Sequence, residues 1–175
     1  SRSSRVLPEY REYERGITTW LNSYVGPLVE GYLQRLESRA GGAKISVMQS
    51  SGNTIAAHQA GAEAVHMLLS GPAGGLAAAR FIGEQVGRSQ LLTFDMGGTS
   101  TDVALLDGAV GLTTEGKIGR YPVAVPMVDM HTIGAGGGSI ARVDSGGMLL
   151  VGPESAGAEP GPACYGEGGG AATVT

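Results

Sequence analysis

From Pro8 to about Ser38 the apolar residues Ile17, Trp20, Leu21, Tyr24, Leu28, Tyr32 and Leu36 recur at three- and four-residue steps. That period predicts one long helix with a single apolar stripe facing the core. Pro8 suits the first helical turn, where a missing N–H costs nothing, and Ala40-Gly41-Gly42 closes the helix. Gly26-Pro27 is expected to kink it or split it in two, because proline removes a hydrogen bond and crowds the preceding turn. The pattern then changes to alternation in Lys44-Ile45-Ser46-Val47-Met48-Gln49, a strand, with Ser50-Ser51-Gly52-Asn53 as its turn. A second helix, made of small residues, is expected from Ser70 as N-cap, with Pro72 in its first turn, to about Val86, where Gly87 stops it. Its alanine and glycine positions admit close approach of another backbone.

The run from Leu91 to Asp107 reads differently: an apolar strand, the turn Gly97-Gly98, and a second apolar strand. Thr113 to Lys117, Val123 to Met130 and Ile140 to Val143 also have strand character. The stretch from Gly152 to Gly166 carries too many prolines and glycines for regular structure and is expected to be an extended loop. Helices interleaved with strands make this a mixed α/β chain.

Composition narrows the class. With 42% apolar residues in 175, the chain can bury a core, and no apolar run approaches the length needed to cross a bilayer. The formal net charge is −4. Up to Lys44 there are seven basic and five acidic residues, and beyond it five and eleven, so the glycine-rich part is the acidic one. That argues against nucleic acid, which wants a clustered basic face. Any phosphate must be held by backbone amides and a cation. The single Cys164 builds no disulfide framework and no leader pattern opens the chain, which points to the cytoplasm. Beginning at Ser1 and ending on Ala-Thr-Val-Thr, the chain reads as part of a longer protein.

The candidate chemistry lies at the Gly97-Gly98 turn. Glycines there remove the Cβ atoms that would hold a phosphate off the backbone and permit positive φ, so that amides can converge on an anion. Thr99, Ser100 and Thr101 add hydroxyls. Asp95, at the end of the first strand, is placed to hold a metal-bound or attacking water, since a carboxylate touches phosphate only through a cation. An ordinary hairpin with a Gly-Gly turn is the alternative. Gly134-Ala135-Gly136-Gly137-Gly138 is the second candidate, a nucleotide-contacting turn between strands, though four glycines also suit a flexible loop. It lacks the register of a dinucleotide fingerprint. Gly111 to Lys117 fits the P-loop spacing, but Ile118 stands where the magnesium-binding hydroxyl belongs. His58 and His66 have no partner at metal-ligand spacing and are read as structural. Cys164, with nothing beside it to lower its pKa, is read as a buried structural thiol.

Five blocks then carry a resemblance: Tyr10 to Arg15, Ser70 to Gly75, Phe94 to Asp102, Gly134 to Ala141, and Ser155 to Ala158 with Pro160 to Gly166. In this order, over nearly the whole chain, they resemble the hydantoinase A and 5-oxoprolinase family. That family is similar to the actin, sugar-kinase and heat-shock-chaperone ATPases, with two ribonuclease-H-like lobes around ATP and Mg²⁺. The resemblance implies an incomplete part of such a two-lobe protein: residues 1–70 would end the first lobe and 71–175 would begin the second. It implies ATP contacts at Gly97, Gly98, Thr99, Ser100, Gly134, Gly136, Gly137 and Gly138, catalytic carboxylates at Asp95 and Asp102, and Mg²⁺ at Asp95. The implied activity is ATP-driven phosphorylation and ring opening of a cyclic amide, a hydantoin or 5-oxoproline, with a hydantoinase B-like subunit or domain as partner. Ketone carboxylation, a kinase, or a non-enzymatic ATP-binding regulator of the same superfamily are the other readings.

Overall fold

The computed structural model describes residues 1–175, which divide into two compact units. The first comprises Ser1–Leu91 and Leu106–Asp129, the second Leu92–Leu105 and Met130–Thr175.

The first unit is organised on helix α2, Glu12–Arg39, which follows the single turn α1, Ser3–Val6. The helix starts four residues later than the sequence predicts. Val6 and Leu7 are buried, and Leu7 is extended, so the chain around Pro8 serves as a link and not as a first turn. Pro27 does not split α2, because buried positions on both sides of it, Thr18 and Asn22 before and Leu33 after, hold the two halves to one surface. Nor does the expected stripe face the core: Trp20, Tyr24, Leu28, Tyr32 and Leu36 are exposed. The buried line is instead Thr18, Asn22, Gly26 and Leu33, and its polar members are paired. The Asn22 side-chain oxygen accepts from Val65 N–H at 3.0 Å while its amide donates to the Ala62 carbonyl at 2.9 Å. Thr18 Oγ1 accepts from Ala124 N–H at 3.4 Å. Gly26 permits a close approach, since a Cβ there would lie 3.1 Å from the Gly61 carbonyl. Hydrogen-bond satisfaction, which periodicity does not register, decides which face turns inward.

Strand β1, Ser46–Met48, and its turn are as expected; a second strand the sequence reading did not name, β2, Thr54–Ala56, completes a hairpin that pairs Val47 with Ile55. The one-turn helix α3, Ala57–Ala60, and a 3-10 turn at Ala64–Met67 lead to helix α4, Ser70–Gln85. Ser70 lies inside α4; the cap position belongs to Leu69, in the left-handed region at φ 58°, with no side-chain cap bond. Gly87, at φ 67°, ends the helix as expected. The strands expected at 113–117 and 123–130 are each broken. Leu112–Thr113 (β5) pairs with Met127–Val128 (β8), while Gly116–Ile118 (β6) pairs with Tyr121–Val123 (β7). The Thr113 hydroxyl turns the chain by accepting from Glu115 N–H at 3.1 Å, and Pro126 cannot donate to a ladder. Val6, Val65, Val123, Val125 and Met127 form one core cluster, and Leu33, Ala57 and Ala60 anchor another.

The second unit carries all but the base of the hairpin of β3, Gln90–Met96, and β4, Thr101–Asp107, with β9, His131–Ile133, beside β4. A separate antiparallel pair joins β10, Ser139–Val143, to β11, Leu149–Ser155, with a bulge between Ser139 and Ala141. The loop expected over 152–166 therefore gives its first four residues to a strand. The turn before β11 accounts for this: Asp144 Oδ1 accepts from Gly146 N–H at 2.8 Å and Met148 N–H at 2.9 Å and sets the two strands side by side. A 3-10 turn, Ala163–Tyr165, follows, and the last residues run beside β10, where Ala141 N–H donates to the Ala172 carbonyl at 2.8 Å. No helix is long and apolar enough to cross a membrane.

Candidate functional site

Gly97 N–H donates to the Ser100 carbonyl at 3.0 Å and closes the β3–β4 turn. Neither Gly97 nor Gly98 adopts positive φ, contrary to the sequence expectation. What glycine supplies at this turn is room: a Cβ on Gly98 would meet nothing within 4 Å, leaving the backbone of the tip bare. A ligand can lie directly against it.

The glycine-rich loop between β9 and β10 is packed onto this turn. Gly137 N–H donates to the Gly97 carbonyl at 2.8 Å, and Gly138 N–H to the Gly98 carbonyl at 2.7 Å. A Cβ on Gly136 would fall 2.6 Å from the Gly97 carbonyl oxygen and 2.8 Å from the Thr99 nitrogen, so only glycine fits. Three hydroxyl and backbone contacts fix the loop further. Thr101 Oγ1 donates to the Ala135 carbonyl at 2.7 Å, Ser139 Oγ accepts from Gly136 N–H at 2.9 Å, and Thr175 N–H donates to the Gly137 carbonyl at 2.9 Å. The loop is a brace. Gly137 and Gly138 spend their amides on the hairpin, so they shape the tip, whereas Gly134 has open space where a side chain would be.

The bonds Gly97–Ser100 and Ser89–Gly108 set a register that puts Asp95 across from Asp102 on one face of the hairpin. Two carboxylates opposed on neighbouring strands repel unless a cation or a donor lies between them. Thr132 Oγ1 donates to Asp102 Oδ1 at 2.7 Å, and β9 holds it there by pairing Thr132 with Asp102. Nothing in the sequence flags Thr132, whose partner is thirty residues away. No group of three or more His, Cys, Asp and Glu side chains comes together anywhere, so the chain has no all-protein metal cage.

Of the remaining candidates, His66 Nε2 lies 3.2 Å from the Val6 carbonyl, a structural contact. Cys164 is exposed, contrary to the expectation of burial, because the 3-10 turn carries it at the surface with Sγ 3.7 Å from the Thr175 carbonyl. The P-loop spacing at 111–118 ends in β6 and not in a helix. Beside the turn lies a cavity of about 360 Å³, bounded by Met96, Gly97 and Gly98 of the hairpin and by Pro162, Tyr165 and Thr175 of the last segment.

A braced glycine turn leaves bare backbone beside two opposed carboxylates within an α/β framework. Comparison with known proteins specifies the class. Residues 15–175 match the hydantoinase/oxoprolinase family, and the chain belongs to it. It is 41% identical, over 97% of its length, to the caprolactamase subunit alpha of Pseudomonas jessenii. Its fold is that of the ATP-dependent caprolactamase crystal structure from the same organism, with a TM-score of 0.80, 39% identity and 99% of this chain covered. The nucleotide-free structure of ATP-dependent acetone carboxylase matches with a TM-score of 0.77 and 31% identity over 98% of this chain. The chain spans about a quarter of each of these proteins, 25% of the caprolactamase subunit, 26% of its crystallised chain and 25% of the carboxylase chain.

Proposed function

We propose that this chain supplies a phosphate-binding hairpin to a longer, ATP-dependent enzyme that opens a cyclic amide. The observation that carries this reading is the bare tip at Gly98, held in place by a glycine loop that tolerates no side chain at Gly136. In the reaction the amide oxygen takes the γ-phosphoryl group and ADP departs. Water then adds at the carbon, the ring C–N bond breaks as nitrogen gains a proton, and a second water cleaves the acyl phosphate. Without phosphorylation the amide is too poor an electrophile to open at a useful rate. The higher identity to the caprolactamase, 39% against 31% for the carboxylase, favours ring opening over carboxylation.

In this reading Gly97, Gly98, Thr99 and Ser100 lie against the phosphates, and Gly136 to Gly138 keep the tip in shape. Asp95 and Asp102 suit Mg²⁺, which takes one or two carboxylates and completes its shell with water and phosphate oxygens; a site without a third acidic ligand is of that kind. Bound there, Mg²⁺ would neutralise charge on the transferring phosphoryl group. Residues 1–70 and 71–175 then belong to successive lobes of one cytoplasmic ATPase, working with a hydantoinase B-like subunit or domain. The test is turnover by the full-length protein with that partner. The expected products are a ring-opened amino acid, ADP and phosphate in equal amounts. Ring opening that needs no ATP, or a stable phosphorylated product, would contradict the proposal.

A further inference from the structure

We propose that the cavity beside the turn is the acceptor subsite, where the uncharged ring of the cyclic amide sits, with Tyr165 and Pro162 bearing on the ring; this rests on the function proposed above. The cavity shares Gly97 and Gly98 with the turn. A group seated in it is therefore next to the phosphates held at that tip. The acceptor must be that close, since phosphoryl transfer needs the attacking oxygen within contact distance of phosphorus. A nucleobase, separated from the terminal phosphates by a ribose, is not.

The walls match such a ring. About 360 Å³ falls in the range of small-molecule sites, and none of the side chains around it is charged. Met96, Pro162 and Tyr165 give apolar surface, and the Tyr165 and Thr175 hydroxyls give hydrogen-bonding groups for an amide. Tyr165 lines the cavity and offers an aromatic ring to a ligand. Pro162 is buried and fixed, giving the pocket one rigid wall. Alternation along β3 puts Met96 and Asp95 on opposite faces. The acceptor thus approaches the tip from one side of the hairpin while the carboxylates and their cation attend the phosphates from the other. That separation keeps the Asp95 and Asp102 charges away from an acceptor oxygen that has to attack a phosphate.

The test compares Tyr165→Ala and Tyr165→Phe with the unmodified full-length enzyme, using uncharged lactams of five to seven ring members and ATP. Tyr165→Ala is expected to raise the lactam KM about tenfold or more, with the ATP dissociation constant unchanged, and Tyr165→Phe to restore most of the loss. The proposal fails if Tyr165→Ala leaves the lactam KM unmoved, or if it weakens ATP binding and not lactam binding, which would make the cavity a nucleoside subsite. An unmodified enzyme that binds no ATP would overturn the proposed function itself, a result distinct from either of these.

Discussion

Asp95 is the next-to-last residue of β3, across from Asp102, and in the proposed function its work is done as charge moves on the phosphoryl group. Asp95→Asn keeps the shape and most of the hydrogen bonding but removes the charge. In the full-length enzyme it is expected to lower kcat by roughly two powers of ten while changing ATP affinity far less, the signature of an interaction made in the transition state. A variant with unchanged kcat would make Asp95 a turn residue only. A second residue-scale outcome concerns stability. Asn22 is 1% exposed and serves both Val65 N–H and the Ala62 carbonyl. Asn22→Ala leaves that buried N–H without a partner and should cost about 1–3 kcal/mol, read as a lower denaturant midpoint. Asn22 escapes a reading of apolar periodicity because its inward turn is decided by two groups forty residues further along the chain.

At the scale of elements, the hairpin, its turn and the glycine loop were each legible in the sequence, since alternation and glycine clusters are local signals. How they act together was not. That Gly137 and Gly138 donate to the turn depends on β9 pairing with β4, a long-range register that spacing does not encode. The broken strands at 113–128 and the extension of β11 into a proline-rich stretch have the same origin, single side chains such as Thr113 and Asp144 turning the chain. The brace makes its own prediction. A methyl group at Gly136 would press on the Gly97 carbonyl and the Ser100 nitrogen at 2.6 and 2.7 Å, with backbone on every side. Gly136→Ala should therefore impose about 1–3 kcal/mol of overpacking strain and weaken ATP binding. Gly134→Ala, facing open space, should do neither. Isothermal titration and thermal melts of the two variants distinguish a brace from a flexible linker.

Across the whole molecule, the second unit is thinly cored. Leu92, Phe94 and Leu105 on the hairpin are 68%, 65% and 77% exposed, an apolar surface that a stable unit normally covers. Expressed by itself, the 175-residue chain is expected to bind a hydrophobic dye and to show negligible ATP turnover, because one hairpin leaves the phosphates open to water. Turnover by the isolated chain at the rate of the full-length enzyme would contradict this. The central claim, that the bare tip of the hairpin receives the phosphates of ATP, is tested most directly at Gly98. A Cβ on Gly98 meets no atom of this chain within 4 Å and its φ is not positive, so a Gly98→Val variant whose fold is confirmed by circular dichroism reports on the ligand. Titrating ATP into folded full-length Gly98→Val should show affinity reduced at least a hundredfold, about 2.7 kcal/mol. Binding equal to that of the unmodified enzyme would mean that the phosphates lie elsewhere.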